Sequence, residues 1–148
     1  MFQLLYRAHI SRLPVNQYLF RIGAADFDMC STCKRALESI LHMLRDCRHS
    51  RSVWDILITR QQRRWFFLLN YNEWLHRNIN PLVQPDISST FLAGIWHIWK
   101  ARCALCFENV PISPTTIVHQ VKVFVQDMKD DLLHLQGFFH DPVNGRWF

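Results

Sequence analysis

Apolar residues recur three and four positions apart along most of this chain, which is the spacing of amphipathic helices. Phe2, Leu5, Tyr6 and His9 predict a short helix over residues 2–10. Leu13-Pro14 ends it, because the residue before a proline is pushed out of the α region. A second helix is predicted from Pro14 to Gly23, with Val15, Tyr18, Leu19 and Ile22 as its apolar face. Ser39 is placed to N-cap a helix carrying Leu41, His42 and Leu44 that closes at Cys47. The next helix, from about Arg48 to Ile58, would bury Val53, Trp54, Leu57 and Ile58. Gln61-Gln-Arg-Arg64 reads as a first linker. Trp65-Phe66-Phe67 reads as core, and with Tyr71, Trp74 and Leu75 it predicts one or two helices ending near Asn78.

Pro81–Pro85 reads as a second linker. Ser88 and Ser89 are expected to cap a long helix to about Asn109, striped by Leu92, Ile95, Trp96, Trp99, Cys103 and Cys106. After Pro111-Ile-Ser-Pro114, with Ser113 as N-cap, a last helix is predicted to about Gln136. Its seam is Ile117, Val121, Phe124, Met128, Leu132 and Leu135, expected to pack on the Trp96/Trp99 helix. The tail, 137–148, reads as an extended linker.

The expected fold class is therefore all-α. Four Gly and six Pro in 148 residues leave too few turn residues for a β-sandwich, and 49% hydrophobic content with 14% aromatics excludes disorder. The expected organisation is a zinc-binding module over 1–60, a helical connecting region over 61–136 packed on it, and the tail. Charge is uneven: residues 1–64 hold 11 Lys/Arg against 5 Asp/Glu, and residues 65–148 hold 6 against 7. A basic half suits a polyanion such as RNA or DNA, and it also suits plain solubility. The start, Met1-Phe-Gln-Leu-Leu-Tyr-Arg7, reaches a charge before any signal-like apolar core, and the run Phe91–Trp96 is far shorter than a membrane span. An intracellular location, nucleus or cytoplasm, is expected, with no membrane partner and no small-molecule substrate.

Five cysteines, four of them in two C-x2-C pairs, suit metal ligation in a reducing compartment better than disulfides. Cys30, Cys33, His42 and Cys47 form the pattern C-x2-C-x8-H-x4-C. Three thiols and an imidazole fill a tetrahedral Zn²⁺ shell with no open position, so one structural zinc in a knuckle lobe is expected. Cys103 and Cys106 lack a nearby third or fourth ligand and read as buried helix cysteines. Around the knuckle, Lys34, Arg35, Arg45, Arg48, Arg51, Arg63 and Arg64 are candidate phosphate contacts, with a solvated helix face as the plain alternative. No aromatic interleaves that patch for base stacking. No Gly-rich phosphate loop, nucleophile elbow or converging carboxylate set is present. Asp127, Asp130 and Asp131 fall on the polar side of the last helix, and no enzymatic activity is expected. His49, His76, His119, His134 and His140 have no evident partner.

Cys30-x2-Cys33, Glu38, His42, Cys47 and Val53-Trp54, preceded by Arg12-Leu13-Pro14, resemble the reverse-transcriptase zinc-binding domain of LINE-type, non-LTR retrotransposon polyproteins, which abound in plants. Ile95-Trp96-His-Ile-Trp99-Lys-Ala-Arg102 with Phe107-Glu108 is similar to the segment those polyproteins carry before ribonuclease H. Asp141-Pro142-Val-Asn-Gly145 resembles the lead-in to that domain. Arg48 stands where the family usually has Pro, and Cys103 where it usually has Asn. The resemblance implies a non-catalytic zinc-binding domain with possible weak RNA or DNA binding. A protein-interaction scaffold, or a fragment of a decayed element, is the alternative.

Overall fold

A computed structural model describes residues 1–9, 11–84, 87–141 and 146–147, with the side chains of residue 2 and of those beyond 131 outside the description. Helices α1 (Phe2–His9) and α2 (Asn16–Arg21) lead into the knuckle, residues 28–38, and then into a π-helical turn, His42–Asp46. Five further helices follow: α3 (Arg48–Leu57), α4 (Arg60–Phe66), α5 (Tyr71–Ile79), α6 (Ser88–Glu108) and α7 (Pro114–Phe139). A two-residue antiparallel ladder, β1 (His140–Asp141) with β2 (Arg146–Trp147), ends the chain. The last helix thus runs past Gln136 into what the sequence reads as linker. Pro142–Gly145 lie outside the described residues.

Trp54 of α3 is at the centre of the core. Its ring stacks on Phe91 of α6 at 5.8 Å and meets Phe66 and Trp74 at 5.0 and 6.4 Å. All four aromatics are fully buried. A Cβ on Gly94 would overlap the Trp54 ring, so glycine there lets α6 approach α3. One buried cluster extends from Leu4 and Ala8 of α1 through Val53 and Trp54 to Ile117, Val118 and Val121 of α7.

Several expectations are corrected. Residues 61–64 are not a linker but the middle of α4. Thr59 caps that helix in a reciprocal box with Gln62, which satisfies two backbone donors, and its arginines are ordinary helix formers. On α1 the covered residues are Leu4 and Ala8, while Tyr6 is 65% exposed; on α2, Ile22 is 56% exposed. Ile87, without a side-chain cap bond, precedes α6, so Ser88 and Ser89 are inside the helix rather than before it. The fully buried face of α6 is Phe91, Ile95, Ile98 and Arg102, while Cys103 and Cys106 are only half-buried. The expected packing of α7 on α6, the helix of Trp96 and Trp99, is present, and there the His97 ring contacts Phe124 at 5.7 Å, while Trp96 and Trp99 themselves line a cavity with Leu4, Leu13 and Pro14. Of the predicted α7 seam, Ile117 and Val121 are buried, Phe124 is half-buried and Met128 is exposed; the side chains of Leu132 and Leu135 are not described. Ser113 does cap α7, accepting from Thr116 N–H at 3.2 Å.

Candidate metal centre

The knuckle is a short antiparallel ribbon. Cys30 N–H bonds Ala36 C=O and Glu38 N–H bonds Asp28 C=O, both at 2.8 Å, and Lys34 N–H closes the turn on Cys30 C=O at 2.9 Å. The Cys33 N–H points at the Cys30 sulfur, 3.5 Å away, as suits a thiolate. Ser39 Oγ accepts from His42 N–H at 3.0 Å, so this expected cap is present. In an α-helix His42 and Cys47 would be about 140° apart, since five residues turn through about 500°. The π-turn removes that offset: Cys47 N–H bonds His42 C=O, five residues back, at 2.7 Å, and both side chains face the knuckle.

The four ligand atoms, Sγ of Cys30, Cys33 and Cys47 and a ring nitrogen of His42, lie within 4.8 Å of one another. Cys30 Sγ to Cys47 Sγ is 3.9 Å and Cys33 Sγ to His42 Nε2 is 3.3 Å. A tetrahedron with Zn–S of about 2.3 Å and Zn–N of about 2.05 Å has edges of about 3.8 and 3.6 Å. The donor set therefore fits one zinc ion in spacing and chemistry. The three cysteines are buried and His42 is half-buried, and four protein ligands are the number a structural tetrahedral zinc takes. The Cys30 thiol donates to the Cys47 sulfur. That bond lowers the Cys47 pKa, and the same bond with burial raises that of Cys30.

Behind the knuckle, a buried polar lock ties three elements together. The Glu38 carboxylate is fully buried. It accepts from Asn16 N–H (2.9 Å), Ser31 N–H (3.1 Å), and Arg102 Nε and Nη2 (3.2 and 2.8 Å). Asn16 adds bonds to Met29 C=O, at 2.7 Å, and from Arg102 Nη2 to its own Oδ1, at 3.0 Å. Glu38 and Arg102 were both legible as motif residues, but their pairing was not. The available signal was a lone arginine inside an apolar helix, which must find a partner or leave the core.

The candidate phosphate contacts separate. Lys34 and Arg35 are exposed at the knuckle tip, and Arg48, Arg51 and Arg64 are exposed on α3 and α4. Arg51 stacks over Phe67 at 4.2 Å. Arg63 is half-buried and paired with Asp55 at 3.2 Å. Arg45 is a correction: it is buried, pairs with Asp46 at 2.6 Å and donates to Phe66 and Leu69 C=O, so it has structural work inside the fold. Sequence reasoning missed Arg77, which is exposed and lies over Trp65 at 4.5 Å. It also missed a partner for His49, whose Nε2 is 2.8 Å from Ile112 C=O. No helix among the described residues is long and apolar enough to cross a membrane.

Residues 1–54 match the family described as zinc-binding in reverse transcriptase. The match agrees with the resemblance carried by the motif, and zinc is the metal its four ligands accommodate. The chain is also similar to an Arabidopsis thaliana protein named "Putative ribonuclease H protein At1g65750", at 36% identity over 86 residues. The match takes in 55% of this chain and 14% of that protein, so the chain spans a small part of this relative's length. No solved structure matches it.

Proposed function

We propose that this chain, whose first 54 residues match the family described as zinc-binding in reverse transcriptase, acts as a non-catalytic, zinc-stapled domain that grips nucleic acid by its phosphates. The observation that carries the reading is the four-ligand set of Cys30, Cys33, His42 and Cys47, accompanied by exposed basic residues that form no ion pair among the described residues. A filled shell cannot activate water or polarise a substrate, which leaves folding as the metal's role. Lys34, Arg35, Arg48, Arg51 and Arg64 are the residues assigned to phosphates, with Arg63 at the edge because Asp55 already neutralises it. Arg77 on α5, exposed and stacked over Trp65, is a further candidate. Contacts of this kind are sequence-independent and weaken as salt rises.

The experiment measures zinc per chain and binding to labelled RNA and DNA across a salt series. The reading expects one zinc and affinity that falls linearly with log[salt], by about 0.7–0.9 per phosphate neutralised. Less than half an equivalent of zinc overturns the metal assignment. Absence of RNA and DNA binding at low salt, with salt-insensitive self-association instead, would make the chain a protein scaffold.

A further inference from the structure

The knuckle ribbon has two faces. Met29 pairs with Leu37 across it, and side chains on paired strands alternate between faces. Cys30 and Glu38 point inward and are both fully buried. Met29 and Leu37, with Phe27 two residues before Met29, point outward. They are 39%, 48% and 75% exposed. Three neighbouring apolar side chains in water are a surface that wants covering. Asp28 alternates to the other side, where it lines a groove with Phe20 and Ser39.

The tip of this ribbon is basic. Lys34 and Arg35 are exposed and, among the described residues, form no ion pair. Lys34 is held at φ 54°, in the left-handed region where glycine is unstrained and a lysine is not. Lys34 also lines one cavity, of about 310 Å³, with Cys47 and His49 at the start of α3. His49 belongs to the first turn of α3, which also carries the exposed Arg48 and Arg51. A strip of exposed apolar side chains on a ribbon whose tip carries two exposed cations complements a polyanion that has flat apolar faces of its own.

We propose that the outer face of the ribbon is a stacking platform for unpaired bases of a single-stranded nucleic acid. Phe27 lies against one base, Met29 and Leu37 border it, and Lys34 and Arg35 take the adjacent phosphates. This rests on the nucleic-acid reading above and adds a preference it does not contain. In a duplex the base faces are already stacked, so only an unpaired strand can use Phe27.

The test uses the zinc-loaded full chain with a short labelled RNA, single-stranded or annealed to its complement. Phe27→Ala is expected to weaken single-strand binding by about fivefold to a hundredfold, leaving the salt slope and the duplex affinity unchanged. Lys34→Gly is expected to lower the salt slope by about one while the thermal midpoint holds or rises. If Phe27→Ala leaves single-strand binding intact while Arg48→Gln/Arg51→Gln weakens it, the platform is refuted and the phosphate-gripping reading stands. If the unaltered chain binds neither strand form, both fall. Equal loss on both forms, or loss of self-association in place of RNA binding, also overturns the platform.

Discussion

Replacing Arg102 by Met should cost this fold about as much as any single change outside the zinc ligands. Arg102 is 4% exposed and supplies two of the four hydrogen bonds to the fully buried Glu38 carboxylate, at 3.2 and 2.8 Å. Its Nη2 also serves Asn16 Oδ1 at 3.0 Å. Breaking a buried pair by removing one partner costs about 3–5 kcal/mol, because the remaining charge is left uncompensated. Methionine fills most of the arginine stem's volume, so cavity formation adds little. Glu38→Gln should cost less, about 1–3 kcal/mol, since an amide oxygen at the Oε1 position still accepts from Asn16 N–H and Arg102 and only Ser31 N–H loses its acceptor. The double variant Glu38→Gln/Arg102→Met should be less destabilised than the two singles summed. Urea unfolding of the zinc-saturated protein, followed by the fluorescence of buried Trp54, measures all three. Because Glu38 also holds Ser31 N–H, next to Cys30, Arg102→Met should weaken zinc affinity as well. A cost below about 1 kcal/mol for Arg102→Met, or strictly additive singles, would refute the argument that the pair is a buried, coupled lock.

Chelation or Cys33→Ser should unfold residues 24–58, since structural zinc contributes about 10–16 kcal/mol in small peptides; loss of helical circular dichroism and of Trp54 burial is the readout. Gly94→Ala should destabilise by about 1–3 kcal/mol through overlap with the Trp54 ring, and a thermal midpoint equal to the parent's would contradict that packing. Burial holds the His97 pKa below its ordinary value, so the unfolded chain takes up a proton that the folded chain resists. Stability is therefore lost as pH falls below about 6.5, and His97→Phe should flatten that part of the pH–stability curve. Burial likewise raises Tyr71 to about 12, so its contribution is present at neutral pH and lost as pH rises from about 10. Tyr71→Phe should remove that alkaline limb and, through the 2.6 Å bond to Ala8 C=O, cost about 1 kcal/mol near neutrality.

What the sequence made legible was local. Ser39 and Ser113 were visible as caps because a side-chain oxygen bonding a nearby N–H is decided within three residues. The ligand set was visible because its chemistry is rare and its spacing constrained. The stripe on α6 was not, because that helix is covered from several sides and its periodicity does not say which side is covered most. Residues 61–64 misled because polarity marks a solvent-facing helix as readily as a linker; Thr59 and Gln62 carried the better signal. Arg45 was counted with the surface arginines because nothing in the local sequence shows the carbonyls of Phe66 and Leu69 arriving beside it.

The π-turn has a consequence for how this chain can change length. It amounts to one residue inserted into a helical turn, and it buries Met43, Leu44 and Arg45 in succession before the chain returns to the metal. Two backbone oxygens of that turn are taken from outside it, Met43 C=O by Ser50 Oγ and Leu44 C=O by the Trp54 indole N–H. A deletion between His42 and Cys47 could still close on zinc through an ordinary α-turn, with ligands four apart. It would cost one of the three buried residues and disturb the acceptor that anchors Trp54. The spacing within the ligand set and the offset to Trp54 are thus one inherited unit, in which an indel at either is tolerated only with a compensating change at the other.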